Sequence, residues 1–112
     1  MSQQFCIASN LSAFDSEVNE SLREGMRVIA GTSYAPTLCE NLPTYCSVFL
    51  ETHDQQILIT ADDIGSFMAE VQDYLDSGYW VVPGTIYIVN VGPDDIPPEK
   101  KIIVTLYTIF LG

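Results

Sequence analysis

The feature that most constrains the fold of this chain is an internal repeat with a constant offset of 53 residues. When residues 5–34 are laid over residues 58–87, ten positions are identical without a gap. An offset that stays constant over thirty residues indicates two copies of one structural unit. Because two copies are too few for a solenoid, the repeat predicts one domain, 1–112, with internal two-fold pseudosymmetry between residues of about 5–52 and 57–111.

Each copy is predicted to begin with a short apolar strand, 5–9 or 57–61, and to continue with a helix. Each helix carries four apolar residues at a spacing that places them on one face. These are Leu11, Phe14, Val18 and Leu22 in the first copy and Ile64, Phe67, Val71 and Leu75 in the second.

The ends of both helices carry recognisable capping residues. Ser9-Asn10 and Asp62-Asp63 precede the helices, and their side chains can accept the first free backbone N–H groups. Gly25 and Gly78 follow the last apolar residues and suit the left-handed position that ends a helix. Capping is therefore the favoured role of the paired acids at 62–63.

Two further strands are expected in each copy, at 26–34 and 44–52 and at 79–89 and 101–111. Gly31 and Gly84 fall inside the earlier strand of each copy and predict a bulge or a close backbone approach. The polar segment 51–56 predicts a hairpin between the copies. The fold class is α+β: a duplicated βαββ unit, with a mostly antiparallel sheet of about six strands and two helices on one face.

The last predicted strand is apolar on both faces over residues 102–110. Such a strand is either central in the sheet or presents its outer face to a second chain. The sequence alone leaves both alternatives open.

Charge narrows the classes of partner. Fifteen acidic residues face four basic ones, and the formal net charge is −11. Direct binding to nucleic acid is not expected, because few cations could replace the counterions of a phosphate backbone. A basic protein surface is the expected partner, while solubility is the alternative reason for the charge.

The remaining composition indicates a folded chain in a reducing compartment. Hydrophobic residues make up 47% of the chain, which is too many for a disordered one. No apolar run approaches the length of a membrane span, and residues 1–10 do not resemble a signal peptide. The odd set of Cys6, Cys39 and Cys46 predicts free thiols. A cytoplasmic protein is expected, without a membrane partner.

Each copy resembles the DUF1737 family, a short bacterial and phage module of unknown function. The resemblance covers residues 5–50 and, less completely, 57–110, although the paired glycines of that family are single here. It depends on Phe14, Val18, Asn19, Gly25 and Gly31 in the first copy and on Phe67, Val71, Gly78, Trp80 and Gly84 in the second. The family has no known chemistry to transfer, so the resemblance implies only a small phage or bacterial accessory protein.

No arrangement typical of an enzyme is found in the sequence. His53 is the only histidine and lies in a polar turn, so neither a metal site nor a base–nucleophile pair is predicted. The short glycine turns match no nucleotide-binding motif. The chain is predicted to be non-enzymatic, with no cofactor and no metal.

Candidate partner-binding residues come from the second copy. Tyr79, Trp80 and Tyr87 are aromatic residues with few charges near them, a composition common in interfaces and also in cores. Asp94 and Asp95 lie in the following proline-rich loop and could add negative charge to the same surface. These five residues are the predicted interaction site.

Three functional hypotheses follow. The first is an acidic interaction protein, of the kind a phage uses to inhibit a basic, nucleic-acid-binding host protein. The second is a self-assembling structural or accessory protein, with a homodimer as its simplest form. The third is a small-molecule-binding domain that uses a cleft between the copies.

Overall fold

A computed structural model describes residues 2–92 and 94–112 of the chain. Over these residues the fold is α+β, with two helices and eight strands that pair antiparallel. In chain order the elements are β1 (Gln4–Ala8), α1 (Leu11–Arg23), β2 (Thr37–Cys39), β3 (Thr44–Glu51), β4 (Gln56–Ala61), α2 (Ile64–Asp76), β5 (Trp80–Val81), β6 (Tyr87–Asn90), a 3₁₀ turn (Pro98–Lys100), β7 (Ile103–Thr105) and β8 (Tyr107–Leu111).

Both helices begin and end where the sequence predicts. The side chains of Asn10 and Asp63 each accept a hydrogen bond from the backbone N–H three residues later, at 3.0 Å and 2.8 Å. Gly25 and Gly78 follow the helices with φ values of 103° and 101°, which a residue with a Cβ adopts only under strain. The capping role of Asp63 is confirmed.

The second strand of each predicted copy is interrupted at its glycine. Gly31 and Gly84 have φ values of 78° and 81°, and the chain turns there instead of continuing a ladder. Residues 79–90 therefore form two separate strands, β5 and β6. In the first copy isolated bridges at Val28 and Tyr34 remain, and β2 forms between the two segments predicted as strands.

The expected single sheet of about six strands is replaced by three smaller ones. β1 pairs with β8, β2 pairs with β7, and β3 pairs with β4, β5 and β6. The predicted hairpin at 51–56 is confirmed, since Glu51 lies opposite Gln56. Breaks at Gly31, Gly84 and Leu106 divide the ladders, which is why one continuous sheet does not form.

β8 has neighbours on both sides, which agrees with one of the two alternatives for the last predicted strand. It lies between β1 and the bridging residues Val28 and Tyr34. Thr108, Phe110 and Leu111 are buried. Phe110 and Leu111 are adjacent and point to opposite faces, so β8 is buried on both, whereas Ile102 and Ile103 before the break at Leu106 are exposed.

The strand pairings divide the chain into two units with equivalent registers. The terminal unit comprises residues 2–39 and 102–112, and the central unit comprises residues 43–91. The equivalent pairs are Val28–Leu111 and Val81–Leu50, Tyr34–Thr108 and Tyr87–Ser47, and Ala8–Tyr107 and Ala61–Cys46. Each unit thus receives its β3 or β8 strand from the other half of the sequence.

The two helices lie on opposite faces of the β1–β8 pair, not on one face of one sheet. Phe5 and Cys6 are adjacent in β1 and so point to opposite faces. Phe5 meets Phe67 of α2, with ring centroids 5.9 Å apart, whereas Cys6 lies beside Glu17 of α1. The difference arises because α2 packs on its own β3–β4 hairpin and on the far face of β1 at the same time.

The core is built mainly around α2. Its inward residues pack with the inward side of the central unit and with the α2-facing side of the β1–β8 pair. The core residues are Phe5, Leu38, Cys46, Val48, Leu50, Ile59, Phe67, Val71, Leu75, Val81, Ile88, Leu106 and Phe110. Cys6, Cys39 and Cys46 are buried free thiols, as the sequence predicts.

Candidate interaction surfaces

Trp80 lies at the hairpin end of the central unit and is half-buried. Its Nε1–H donates to Glu51 Oε1 at 3.0 Å, and its ring meets His53 edge-on with centroids 5.0 Å apart. Hydrogen bonds from Gln56 and then from Trp80 lower the pKa of the Glu51 carboxyl below its usual value. The indole is thus fixed against a carboxylate at the rim of a shallow hollow of about 530 Å³.

Tyr79 lies beside the same hairpin and is also half-buried. Its ring packs edge-on against Tyr74 of α2 at 5.1 Å, and its hydroxyl accepts a hydrogen bond from the Gln55 side chain. Tyr79 therefore joins the end of α2 to the turn between β3 and β4.

The other three predicted residues lie on other elements, although Tyr87 shares the sheet face of Trp80, because their partners Ser47 and Glu51 point the same way from β3. Tyr87 lies on β6 and is exposed, on the face of the sheet that points away from α2. Asp94 and Asp95 are exposed in the loop before β7, and the Asp94 carboxylate is paired with Lys101. The structure thus brings Tyr79 and Trp80 to one hairpin but distributes the five predicted residues over three elements.

An uncovered apolar surface, which the sequence did not single out, lies on the central unit. It is the face of the β3–β4–β6 sheet opposite α2, and we call it the open face. Phe49 lies directly opposite Leu58 across the β3–β4 ladder, and Ser47 lies opposite Tyr87. The exposed apolar residues of this face are Tyr45, Phe49, Leu58 and Tyr87.

A sequence signal for the open face does exist in β3. Residues 45–50 read YCSVFL, with apolar side chains in both phases of the strand alternation. Cys46, Val48 and Leu50 are buried, while Tyr45 and Phe49 point outward. A strand that is apolar in both phases is typical of one covered on both faces. Over residues 2–92 and 94–112, no element of the chain supplies the second cover.

A second surface feature is a groove of about 620 Å³ between the two helices, along the outer edge of β1. Its floor includes Phe5, Met26 and Met68, and three carboxylates line it. These belong to Glu17, Glu24 and Asp76. We call this the acidic groove, because no lysine or arginine lines it among the described residues.

The buried thiols are poor candidates for chemistry. Burial, followed by the nearby Glu17 carboxylate, raises the pKa of the Cys6 thiol to about 12. Burial and the carboxylates before α2 raise the pKa of Cys46 to about 11. Since a thiolate is the nucleophile, both groups are held in their unreactive form.

The described residues contain neither a cluster of metal ligands nor a membrane-spanning helix. Over residues 2–92 and 94–112, no three histidine, cysteine or acidic side chains are placed to hold a metal ion. Neither helix of that part of the chain has both the length and the apolar composition needed to cross a bilayer.

Comparison with protein-family models, with curated proteins and with solved structures gives no significant match. The resemblance to the DUF1737 family stays a prediction.

Proposed function

We propose that this chain is a duplicated βαββ protein that works without catalysis, by docking to protein through the open face of its central unit. The equivalent registers of the two units and the constant sequence offset support the duplication. The observation that carries the function is the open face itself, where four large apolar side chains lie together and uncovered.

The composition of the open face suits a protein interface. Two tyrosines and a phenylalanine supply large contact area, and aromatic residues dominate the energetics of such interfaces. The side chains are carried by a regular ladder, so they are held in place before a partner arrives. Pre-organisation of this kind lowers the entropic cost of binding.

The test replaces Phe49 by aspartate and measures association by light scattering over a range of concentrations. We expect Phe49→Asp to remove association that the unaltered chain shows, because a charge would be buried at the centre of the interface. Ile102→Asp is the matched control, since Ile102 is also an exposed apolar residue but lies outside the open face. Equal association of all three proteins would contradict the proposal, and association of none of them would exclude copies of this chain as the partner.

A second candidate function is favoured by the acidic groove. In this alternative the protein is a phage-type inhibitor, and the groove receives a basic segment of a nucleic-acid-binding protein. The apolar floor would hold the stems of lysine or arginine side chains while the carboxylates pair with their charges. The net charge of −11 would speed the encounter with such a partner.

Two variants with equal net charge distinguish a groove from a general effect of charge. The first is Glu17→Gln, Glu24→Gln and Asp76→Asn, within the groove. The second is Glu20→Gln, Glu40→Gln and Asp73→Asn, at exposed positions outside it. We expect the first set to weaken binding of a basic nucleic-acid-binding protein, measured at low salt, several-fold more than the second. Equal weakening would remove the groove as a site.

A further inference from the structure

We propose that copies of this chain assemble head to tail, with the terminal unit of one copy covering the open face of the next. The proposal rests on the proposed function and names its partner as a second copy. The interface would repeat the contact that joins the two units within one chain. That contact joins one face of the terminal unit to a different face of the central unit. Because the units are equivalent, each also carries the face that the other contributes, and those two faces are exposed.

Within the chain, α2 of the central unit covers the back of the terminal unit. Phe67 packs edge-on against Phe5. The Gln72 side chain accepts from the N–H of Phe5 at 2.9 Å and donates to the carbonyl of Gln3 at 3.1 Å, which closes the free edge of β1. The Gln3 side chain in turn accepts from the N–H of Val81 at 2.8 Å.

Further hydrogen bonds belong to the same contact, and two of them involve repeated residues. The N–H of Gly84 donates to the carbonyl of Gly31 at 3.0 Å. The hydroxyl of Tyr34 donates to the carbonyl of Ile88 at 3.1 Å. The repeated glycines and one of the repeated tyrosines thus have a packing role between the units.

In the contact within the chain, the terminal unit contributes the face that carries Phe5 and Phe110. The equivalent face of the central unit is exposed. We call it the receiving surface. Leu58 is equivalent to Phe5 and is 50% exposed where Phe5 is 4% exposed. Phe49 is equivalent to Phe110 and is 41% exposed where Phe110 is fully buried. The receiving surface comprises Tyr45, Phe49, Gln56, Leu58 and Tyr87, equivalent to Leu106, Phe110, Gln3, Phe5 and Tyr34.

The central unit contributes the side that carries Phe67 and Val81. The equivalent side of the terminal unit is exposed, and we call it the covering surface. Val28 is equivalent to Val81 and is 50% exposed where Val81 is 2% exposed. Phe14 is only half-buried, although its equivalent Phe67 is fully buried. The covering surface comprises Phe14, Asn19, Val28 and Ala35, equivalent to Phe67, Gln72, Val81 and Ile88.

The contact within the chain runs in one direction. α2 packs on β1 of the other unit, whereas α1 packs on β1 and β8 of its own unit. The relation between the units is therefore not the two-fold pseudosymmetry that the repeat predicts. A heterologous contact of this kind leaves a free surface at each end, so repetition between copies produces a ring or an open filament, not a closed two-fold dimer.

Charges at equivalent positions favour the contact between copies. Glu17 and Asp76 both line the acidic groove and carry like charges. Their equivalents at the proposed interface are Glu70 of one copy and Arg23 of the next. Opposite charges at these positions are expected to attract across the interface.

The experiment uses one variant of each surface and their mixture. Leu58→Asp disables the receiving surface, Val28→Asp disables the covering surface, and Ile102→Asp is the control. We expect the unaltered chain and the control to grow beyond dimers with concentration in light scattering. Each single variant is expected to need about thirtyfold more protein to associate, the ratio that corresponds to a hot-spot loss of about 2 kcal/mol.

The mixture is decisive. Equal amounts of Leu58→Asp and Val28→Asp contain one intact receiving surface and one intact covering surface, so they should form a heterodimer that neither forms alone. If Leu58→Asp blocks association but Val28→Asp does not, the open face binds copies of itself, and only the head-to-tail mode is overturned. If the unaltered chain stays monomeric at every concentration, self-assembly through the open face is overturned as well.

Folding of each variant is checked by circular dichroism and thermal unfolding. Tyr87→Asp and Asn19→Asp replace the first pair if either of those fails to fold, since both residues are on the same two surfaces. Complementation by this second pair supports the proposal, and its failure overturns it.

Discussion

Phe110 in the terminal unit and Phe49 in the central unit occupy equivalent places on the third strand of their units. Each lies opposite the first strand of its own unit, Phe110 across from Phe5 and Phe49 across from Leu58. Phe110 is fully buried and stacks on Phe5 at 4.4 Å, whereas Phe49 is exposed. The same residue type in the same register has two different environments.

Burial of the two phenylalanines therefore depends on which element packs against each unit, and not on the structure of the unit itself. α2 covers the Phe5 face of the terminal unit, while no part of the described chain covers the equivalent open face of the central unit. For the helices, the more buried copy is the one in the central unit. Phe67, Val71 and Leu75 of α2 are fully buried because α2 packs on both units, while their equivalents in α1 are only half-buried.

The largest expected effect is a difference in the free energy of unfolding between substitutions at the two equivalent phenylalanines. Phe110→Ala should lower the free energy of unfolding by about 3–5 kcal/mol, because it removes a buried ring and leaves a cavity. Phe49→Ala should cost less than about 1 kcal/mol, since its ring already contacts solvent. Urea unfolding at a concentration where the chain is monomeric measures both. Similar costs at the two positions would break the comparison.

An intermediate effect is expected at the amide that closes the edge of β1. Gln72→Ala leaves the N–H of Phe5 and the carbonyl of Gln3 without their partner, which should cost about 1–3 kcal/mol. Asn19→Ala at the equivalent place in α1 should cost less, because among the described residues the Asn19 side chain bonds to Asp15, one turn earlier in the same helix. Hydrogen exchange at Phe5 gives an independent reading and should accelerate only in Gln72→Ala.

The smallest effect separates the two helix caps by pH. Asn10→Ala should cost about 1 kcal/mol at any pH between 3 and 8, because the amide does not titrate. The Asp63 carboxyl has its pKa lowered by the hydrogen bond from the N–H of Ser66. Its contribution is therefore present above the unfolded pKa and is lost as the pH falls through the lower, folded value.

The measurement is the difference in stability between the unaltered chain and Asp63→Ala as a function of pH. That difference should be constant above about pH 5 and shrink below about pH 4, near the ordinary aspartate pKa. A difference for Asp63→Ala that does not change over this range would show that ionisation of the cap is irrelevant to α2.

Local patterns predicted the parts of the fold that depend on near neighbours in the sequence. The helices follow from apolar residues at helical spacing, and their ends follow from Asn10, Asp63, Gly25 and Gly78. The hairpin at 51–56 was predicted from its polar composition. These features need only contacts between residues a few positions apart, so the sequence carries them directly.

The interaction surfaces depend on contacts between residues far apart in the sequence, which local patterns do not specify. Tyr79, Trp80 and Tyr87 follow one another along the chain, but the turn at Gly84 separates Tyr87 from the other two. The open face combines β3, β4 and β6, whose pairing is fixed by contacts over tens of residues. No local pattern states which strand becomes the neighbour of which.

The sequence by itself determined the two similar units, the limits of their helices and the acidic charge of the whole. Only the tertiary structure decided that β8 completes the terminal unit, that β3 completes the central unit, and that α2 covers one unit while the other stays open. The physical reason is that a repeated sequence specifies equivalent surfaces, whereas packing one unit against another can use each surface only once. One receiving surface and one covering surface are therefore left over.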